Sequence, residues 1–350
     1  MWTITIRDLQ FRRRRFIIAV FGTALVFGMA LIMSGMAAGF RVEAASSIKA
    51  VGADAWVVRA GTSGPFTAFT TVTPEIVAQV GRQPGVAHAE ALIVARRTMP
   101  LAGGGLLDVN MLGYALGGIV EPPVVTGRVP SRTGEVAIDD RSKMRIGSRL
   151  VLGGRELRVV GVMHGISWFG GIPGAFIPIE DVQAMIFEGR PLGTTIITSG
   201  IPINMPTGYA ALSSSAARAD MLRPIENGMN AISNIQMLLW IVAAMIIGAV
   251  VYLSALERVR DFAVLKALGG SSRALFGGLV AQAVIVAMIA VAFATLIAVV
   301  LAPRFALPIN IPKSAFALLP AIGMTIGSLA SLSGLRRAVS VDPALAFGGP

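Results

Sequence analysis

The residues of this chain best arranged for a specific chemistry lie in one short stretch, Glu257–Arg273, which reads ERVRDFAVLKALGGSSR. Val259, Phe262, Leu265 and Leu268 recur at helical spacing and so share one face of a helix. Arg258, Asp261 and Lys266 flank that face, and Gly269-Gly270 supplies the backbone freedom that ends a helix. Ser271 or Ser272 then caps the helix that follows. The pattern suits recognition rather than bond-making. An amphipathic helix of this kind either rests in a membrane interface or sets its apolar side into a partner's groove. Periodicity by itself leaves both open.

Catalytic patterns are missing. The chain contains no Gly-Lys dipeptide and so no P-loop to cradle a nucleotide phosphate. Its two histidines, His88 and His164, stand far apart without metal-ligand spacing around them. No G-x-S-x-G falls on a strand-to-helix turn. With no cysteine, a disulfide framework is excluded. We therefore expect no catalytic, cofactor-binding or metal site in this chain.

The elements that must position the 257–273 stretch are long apolar runs: Phe16–Phe40, Ala231–Leu256, Ala274–Pro303 and Ser314–Leu335. None contains Asp, Glu, Lys, Arg or His, and each exceeds the ~20 residues that span a bilayer. The chain is only 14% charged, against about 25% for a typical soluble domain, and the deficit lies in these runs. Ion-coupled carriers keep ionisable groups at membrane depth, so their absence argues against a secondary transporter. Gln282 is the strongly polar side chain deep in a run, placed for an interhelical hydrogen bond. Gly323 and Gly327 lie four apart on one side of the last run, where small residues allow close helix packing.

Charge sets the orientation. Of the net +11, the densest part is Arg7 and Arg12–Arg15, directly before the first run, which marks the N-terminus as cytoplasmic. A nucleic-acid binder would instead concentrate its excess on a folded domain. Counting crossings puts 41–230 outside, 257–273 inside, 304–313 outside and 336–350 inside. The expected fold class is a membrane α-helical protein with four transmembrane helices in a 1+3 plan. A large α+β extracytoplasmic domain is inserted between helices 1 and 2. The expected segments are an interfacial helix at 1–15, TM1 at 16–40, a two-lobed domain at 41–230 and TM2 at 231–256. A cytoplasmic loop at 257–273, TM3 at 274–303, an outer loop at 304–313, TM4 at 314–335 and a cytoplasmic tail at 336–350 complete the chain.

Within the insert, Ala53–Arg59 reads as a strand, and Thr73-Pro74-Glu75 opens a helix with Thr as cap and Pro in the first turn. Val86–Thr98, Leu106–Tyr114, Gly134–Ile138, Arg149–Leu152 and Glu156–Val162 are β-rich, and Gly153-Gly154 predicts a hairpin turn. Glu180–Phe187 predicts a short helix and Thr194–Thr198 the last strand. Ala210–Met229 reads as helix bent at Pro224 and leading into the second span. The two lobes are expected to meet near 115–130.

The string Glu257-Arg258-Val259-Arg260-Asp261-Phe262-Ala263-Val264-Leu265-Lys266-Ala267-Leu268-Gly269-Gly270 resembles the cytoplasmic segment E-R-x-R-E-[FI]-A-x-L-[KR]-A-[LI]-G-[AG] of FtsX/MacB-type ABC transporter permeases. Asp261 stands where Glu is more usual. The start at Ile6–Arg15, the tail at Arg336–Ala346 and the 1+3 plan are also similar, and DevC-type exporters share that plan. Gly134–Ile138 through Val159–Val162 is similar to the second lobe of MacB-like outer domains.

The resemblance implies a bacterial plasma-membrane permease subunit, with N- and C-termini cytoplasmic and 41–230 extracytoplasmic. It would be paired with a second permease copy or paralogue and with two copies of a cytoplasmic ABC ATPase. ATP and Mg would bind that partner, and lipid and an extracytoplasmic adaptor would complete the surroundings. Glu257, Arg258, Asp261, Phe262, Leu265, Lys266 and Gly269 would form the ATPase-coupling helix. The second span, running on into the insert, would carry motion outward for export or extraction. An alternative is an FtsX-like scaffold that regulates an extracellular cell-wall hydrolase. An amino-acid importer fits less well, because Glu43-Ala44-Ala45 lies outside and its expected glycine is misplaced.

Overall fold

The computed structural model describes residues 13–101, 104–257, 272–305, 307–318, 321–322, 324–325 and 328–329. It divides into a unit of long apolar helices, here the membrane unit, Met1–Ala38 with Asn230–Pro350, and a second unit, Gly39–Met229, termed the outer unit after its expected side.

The membrane unit holds the first part of α1 (Arg13–Val51), most of α5 (Glu226–Glu257) and α6 (Ser272–Leu301). Among the described residues, three helices are long and apolar enough to cross a bilayer: Phe16–Val51, Ser214–Val250 and Val280–Arg304. The fourth expected span, 314–335, is described only in part. Ala283, Ala287, Ala290, Ala294 and Ala298 make a buried small-residue stripe on α6, clustered with Ala24, Phe27 and Leu31 of α1 and with Ala243 and Ile247 of α5. Lipid offers no hydrophobic drive between helices, so close packing of small side chains has to supply the attraction. Gly35 on α1 belongs to the same scheme. A Cβ there would stand 2.7 Å from Cγ1 of Ile311 and 2.8 Å from Cγ2 of Ile309. The Gly35 carbonyl accepts the Asn310 N–H at 2.9 Å.

The outer unit is a sheet covered on both faces. Its strands are β1 (Ala55–Arg59), β2 (His88–Pro100), β3 (Leu106–Tyr114), β4 (Val124–Gly127), β5 (Glu135–Asp139), β6 (Arg149–Leu152), β7 (Arg155–Met163), β8 (Ser167–Trp168), β9 (Ile172–Pro178), β10 (Thr195–Ser199) and β11 (Tyr209–Ser213). Their order is β11-β1-β10-β2-β3-β9-β5-β7-β4, with β6 on β7 and β8 on β9. Most pairs are antiparallel, while β3–β9 and β5–β7 are parallel. A change of partners falls inside β2: His88–Leu92 pairs β10 and Ile93–Pro100 pairs β3. A 13-residue strand is long enough to serve two partners in succession.

Side-chain parity sorts the core, because alternate residues of a strand face opposite ways. Leu92, Leu112, Ala137 and Phe176 join one cluster with Ala44, Ile48 and Val51 of α1 and with Ala217 and Met221 of α4 (Ser214–Leu222). Ile93, Met111, Val136, Ile138, Ala175 and Ile177 join the other, under α3 (Ile179–Ile186) and the β6–β7 hairpin. The helix at Thr73-Pro74 is α2 (Pro74–Gly81), and Val80 packs it on Val57 and Ile196. Gly153 and Gly154 sit at φ 56° and 80°, as the β6–β7 turn requires.

Two readings from the sequence change here. Tyr209–Ser213 is a strand, and helix begins only at Ser214, because Ser213 caps it by accepting the Ala216 N–H at 3.3 Å. The central strand β9, IPGAFIP, is disguised by two prolines and a glycine. Pro224 lies in a 3-10 turn, Arg223–Ile225, between α4 and α5.

Strand β5 starts on a buried carboxylate. Glu135 is 4% exposed and is held by Arg128, by Arg132 Nε at 3.0 Å and by the Ser131 N–H at 3.0 Å. The Arg128 guanidinium, with these other donors, holds its carboxyl down at about 2. Lowering a carboxyl's pKa stabilises the fold above its ordinary range, and the gain is lost as pH falls through the folded value. Glu135→Gln is expected to cost about 2 kcal/mol at neutral pH, reduced from the buried-pair figure because both arginines are exposed. It should also flatten the acid limb of unfolding between pH 4.5 and 2. Tryptophan fluorescence followed through a pH titration checks both.

Candidate functional site

Among the described residues, no group of three or more His, Cys, Asp or Glu is placed to hold a metal. The polar constellation that stands out is mechanical. It lies where the outer end of α1 enters the core of the outer unit.

Glu43 and Ser47 are one helical turn apart, so they share a face of α1 with Ala44, Ile48 and Val51. Both are buried, at 4% and 1% exposure. Facing them are a 3-10 turn, Asp140–Ser142, at the end of β5, and Ser167, the first residue of β8. Arg141 Nη1 donates to Glu43 Oε1 and, at 2.8 Å, to Ser167 Oγ. The Ser167 hydroxyl donates to the same Glu43 oxygen at 2.5 Å, and Ser47 Oγ donates to the Ser167 carbonyl at 3.1 Å.

Asp139 fixes the two loops that present these groups. Its Oδ1 accepts the Arg141 N–H at 3.1 Å and its Oδ2 the Ile166 N–H at 2.7 Å. Burial pushes its carboxyl up to about 6 despite those donors. Beside it, Asp140 meets Nδ1 of His164 at 2.7 Å, and this contact raises the imidazole above its usual range.

The chain leaves the outer unit through α4, which is rooted in the same core. Ser214 Oγ donates to the Ala53 carbonyl at 2.9 Å, just past the end of α1. Asp220, 1% exposed, accepts the backbone N–H of Phe66 at 2.8 Å and of Thr67 at 3.2 Å. So the two segments by which the chain enters and leaves the outer unit share one apolar cluster. The arrangement ties helix ends to a sheet with buried, charge-assisted hydrogen bonds, the strong kind.

Of the site residues named from the sequence, Glu257 is the last residue of α5. Arg258, Asp261, Phe262, Leu265, Lys266 and Gly269 lie outside the described residues, as do Gly323 and Gly327. The N-terminal helix at 1–12 and the tail also lie outside them. Gln282 is buried on α6, at 6% exposure, between the small residues of its stripe. Sequence reasoning missed Glu43 and Ser47. Their signal was faint: an acid and a hydroxyl, four apart, in a helical continuation of an apolar run.

An outer α+β unit inserted after the first of several apolar helices defines a class, the polytopic membrane proteins with a large extramembrane domain. Comparison with known proteins narrows it. The MacB-like periplasmic core domain matches residues 16–221, and the FtsX-like permease C-terminal domain matches residues 235–343. An uncharacterized ABC transporter permease of Mycobacterium tuberculosis H37Rv is 43% identical over 345 residues, covering 99% of each chain. A second from the same strain is 40% identical with the same coverage. The chain belongs to the FtsX/MacB-type ABC transporter permeases. Among solved structures, the extracellular domain of the ABC-type transporter YknZ aligns with 45% of this chain and 98% of its own, at 14% identity and TM-score 0.34. The periplasmic region of MacB from Actinobacillus actinomycetemcomitans aligns with 53% of this chain and 98% of its own, at 12% identity and TM-score 0.34.

Proposed function

We propose that this chain is a permease subunit of the mechanotransmission type. It spans the bacterial plasma membrane and passes the work of a separate cytoplasmic ABC ATPase to its outer domain, for export or extraction. The observation that carries this reading is the double root of the outer unit. Both connecting segments end in one core, and Glu43, Ser47 and Arg141 bind α1 to the sheet. A helix held in this way hands displacement to the sheet instead of slipping past it.

The sequence motif at 257–270 supports a cytoplasmic end of this pathway, and the charge distribution favours 41–230 lying outside the cell. ATP and Mg bind the partner, two copies of which serve a pair of permeases. The α5 span leaves room for such pairing, since only 11% of its apolar window is buried within the chain.

The test is reconstitution into nanodiscs with the candidate ABC ATPases of the source bacterium. Hydrolysis is expected only when both subunits are present, and protease added outside intact cells is expected to cut within 41–230. Hydrolysis by this chain alone, or an outer unit shielded from that protease and cut from the cytosolic side, would overturn the proposal.

A further inference from the structure

A cleft of about 590 Å³ opens in the outer unit, walled by Phe66, Phe69, Trp168 and Phe169, with Arg96 and Asn110 among its lining. Its size falls within the ordinary range of small-molecule sites, roughly 300–1,000 Å³. Three features set it apart from incidental roughness.

Trp168 is 2% exposed, yet among the described residues its indole N–H has no acceptor. A buried donor left unpaired is costly and calls for a partner. Next to it, Phe169 is held at φ 55°, in the left-handed region that a bulky side chain avoids, and Gly170 and Gly171 follow at 88° and 90°. Strain of this kind persists where the surroundings impose it, commonly at binding sites. Finally, the Arg96 guanidinium lies 4.6 Å from the centre of the Phe169 ring, and its Nε donates to Asn110 Oδ1 at 3.1 Å. Asn110 is itself spent, since its amide donates to the carbonyls of Trp168 at 3.2 Å and Ile172 at 3.3 Å.

Among the described residues, no Asp or Glu side chain lines the cleft, and Arg96 is the charged side chain of its lining. Asp220 lies behind the Phe66–Thr67 wall, its carboxylate taken up by those two backbone N–H groups and the Thr67 hydroxyl. From this we infer that the cleft is a binding site for an amphiphile with one anionic headgroup. The apolar body would lie against Phe66 and Phe69, the carboxylate or phosphate would be received by Arg96, and an oxygen of the same headgroup would accept the Trp168 N–H. Asp220 keeps the Phe66 wall in place through the backbone of Phe66 and Thr67. Binding of this kind needs no nucleotide, so its failure and the failure of ATPase coupling would be seen separately.

The test uses the full chain in nanodiscs of zwitterionic lipid, with 11-(dansylamino)undecanoic acid as the probe and tryptophan-to-dansyl energy transfer as the readout, against empty discs. Saturable binding is expected, with displacement by unlabelled dodecanoate or dodecyl phosphate and not by the methyl ester. Whichever of those two competes better distinguishes a carboxylate from a phosphate source. Arg96→Gln, a change at an exposed position, should weaken binding about tenfold, the value of one charge-assisted contact. Phe66→Ala should weaken it comparably, while Arg149→Gln, which removes a guanidinium paired with Glu156 on the β6–β7 hairpin, should leave it unchanged. Binding no stronger than to empty discs would overturn the inference. So would equal displacement by the methyl ester, or Arg96→Gln binding as tightly as the unaltered chain.

Discussion

Phe262→Asp is expected to abolish co-purification of the ATPase and its stimulation in nanodiscs, while the tryptophan fluorescence of the outer unit stays unchanged. Phe262 stands at the centre of the apolar stripe of the 257–270 motif, flanked by Val259 and Leu265. Burying a phenylalanine contributes about 2–3 kcal/mol. Putting a carboxylate into an apolar groove adds a desolvation cost of similar size or more. A combined loss of about 4 kcal/mol is roughly a thousandfold in affinity, enough to empty the interface at working concentrations. Phe262→Leu keeps the apolar contact and should retain most of the coupling. Undiminished stimulation in Phe262→Asp would remove the docking role from this loop and leave it as an interfacial connector.

Arg141→Ala is expected to destabilise the outer unit by about 3 kcal/mol and to uncouple hydrolysis from movement of that unit. The substitution leaves Glu43 buried, at 5% side-chain exposure, with the Ser167 hydroxyl as its remaining donor. Removing one partner of a buried pair is far more damaging than removing both, because the orphaned charge keeps its desolvation cost. Glu43→Gln combined with Arg141→Ala should therefore recover a substantial part of the loss. Urea unfolding followed by tryptophan fluorescence reads the stability, since Trp56 and Trp168 both belong to the cluster that α1 enters. A distance probe across the exposed positions Arg41 and Arg145 reads the movement, leaving residue 141 free to be varied. Equal stability of the single variant and the parent chain would sink the idea that this contact binds the helix to the sheet.

Much of the architecture is local in origin and could be read directly. Four runs without a charge identify a membrane protein. Thr73-Pro74 opens α2, the Gly153-Gly154 pair turns β6 into β7, and Pro224 interrupts the helical path out of the sheet. Each is settled by a few neighbouring residues, through fixed φ angles or missing donors; Thr73 precedes α2 without a side-chain cap hydrogen bond, so Pro74 is what opens it. The same holds for the 257–270 motif, whose spacing and charge order pointed to the permease family later matched over nearly the whole chain.

Other features were not local and stayed hidden. Strand β9 carries prolines that argue against a central strand, yet the sheet accepts it between β3 and β5. Ala210–Ser213 reads as helix until the pairing of Tyr209–Ser213 with β1 is known. Glu43 and Arg141 are 98 residues apart, and neither shows in sequence that the other will neutralise it. The cleft assembles Phe66, Arg96 and Trp168 from three distant segments. The sequence alone thus determined what depends on the solvent and the immediate neighbours: membrane class, turns and the family resemblance carried by 257–270. Tertiary structure decided which strands pair, which face each side chain occupies and which buried charges meet, because those depend on contacts between residues that the chain order keeps apart.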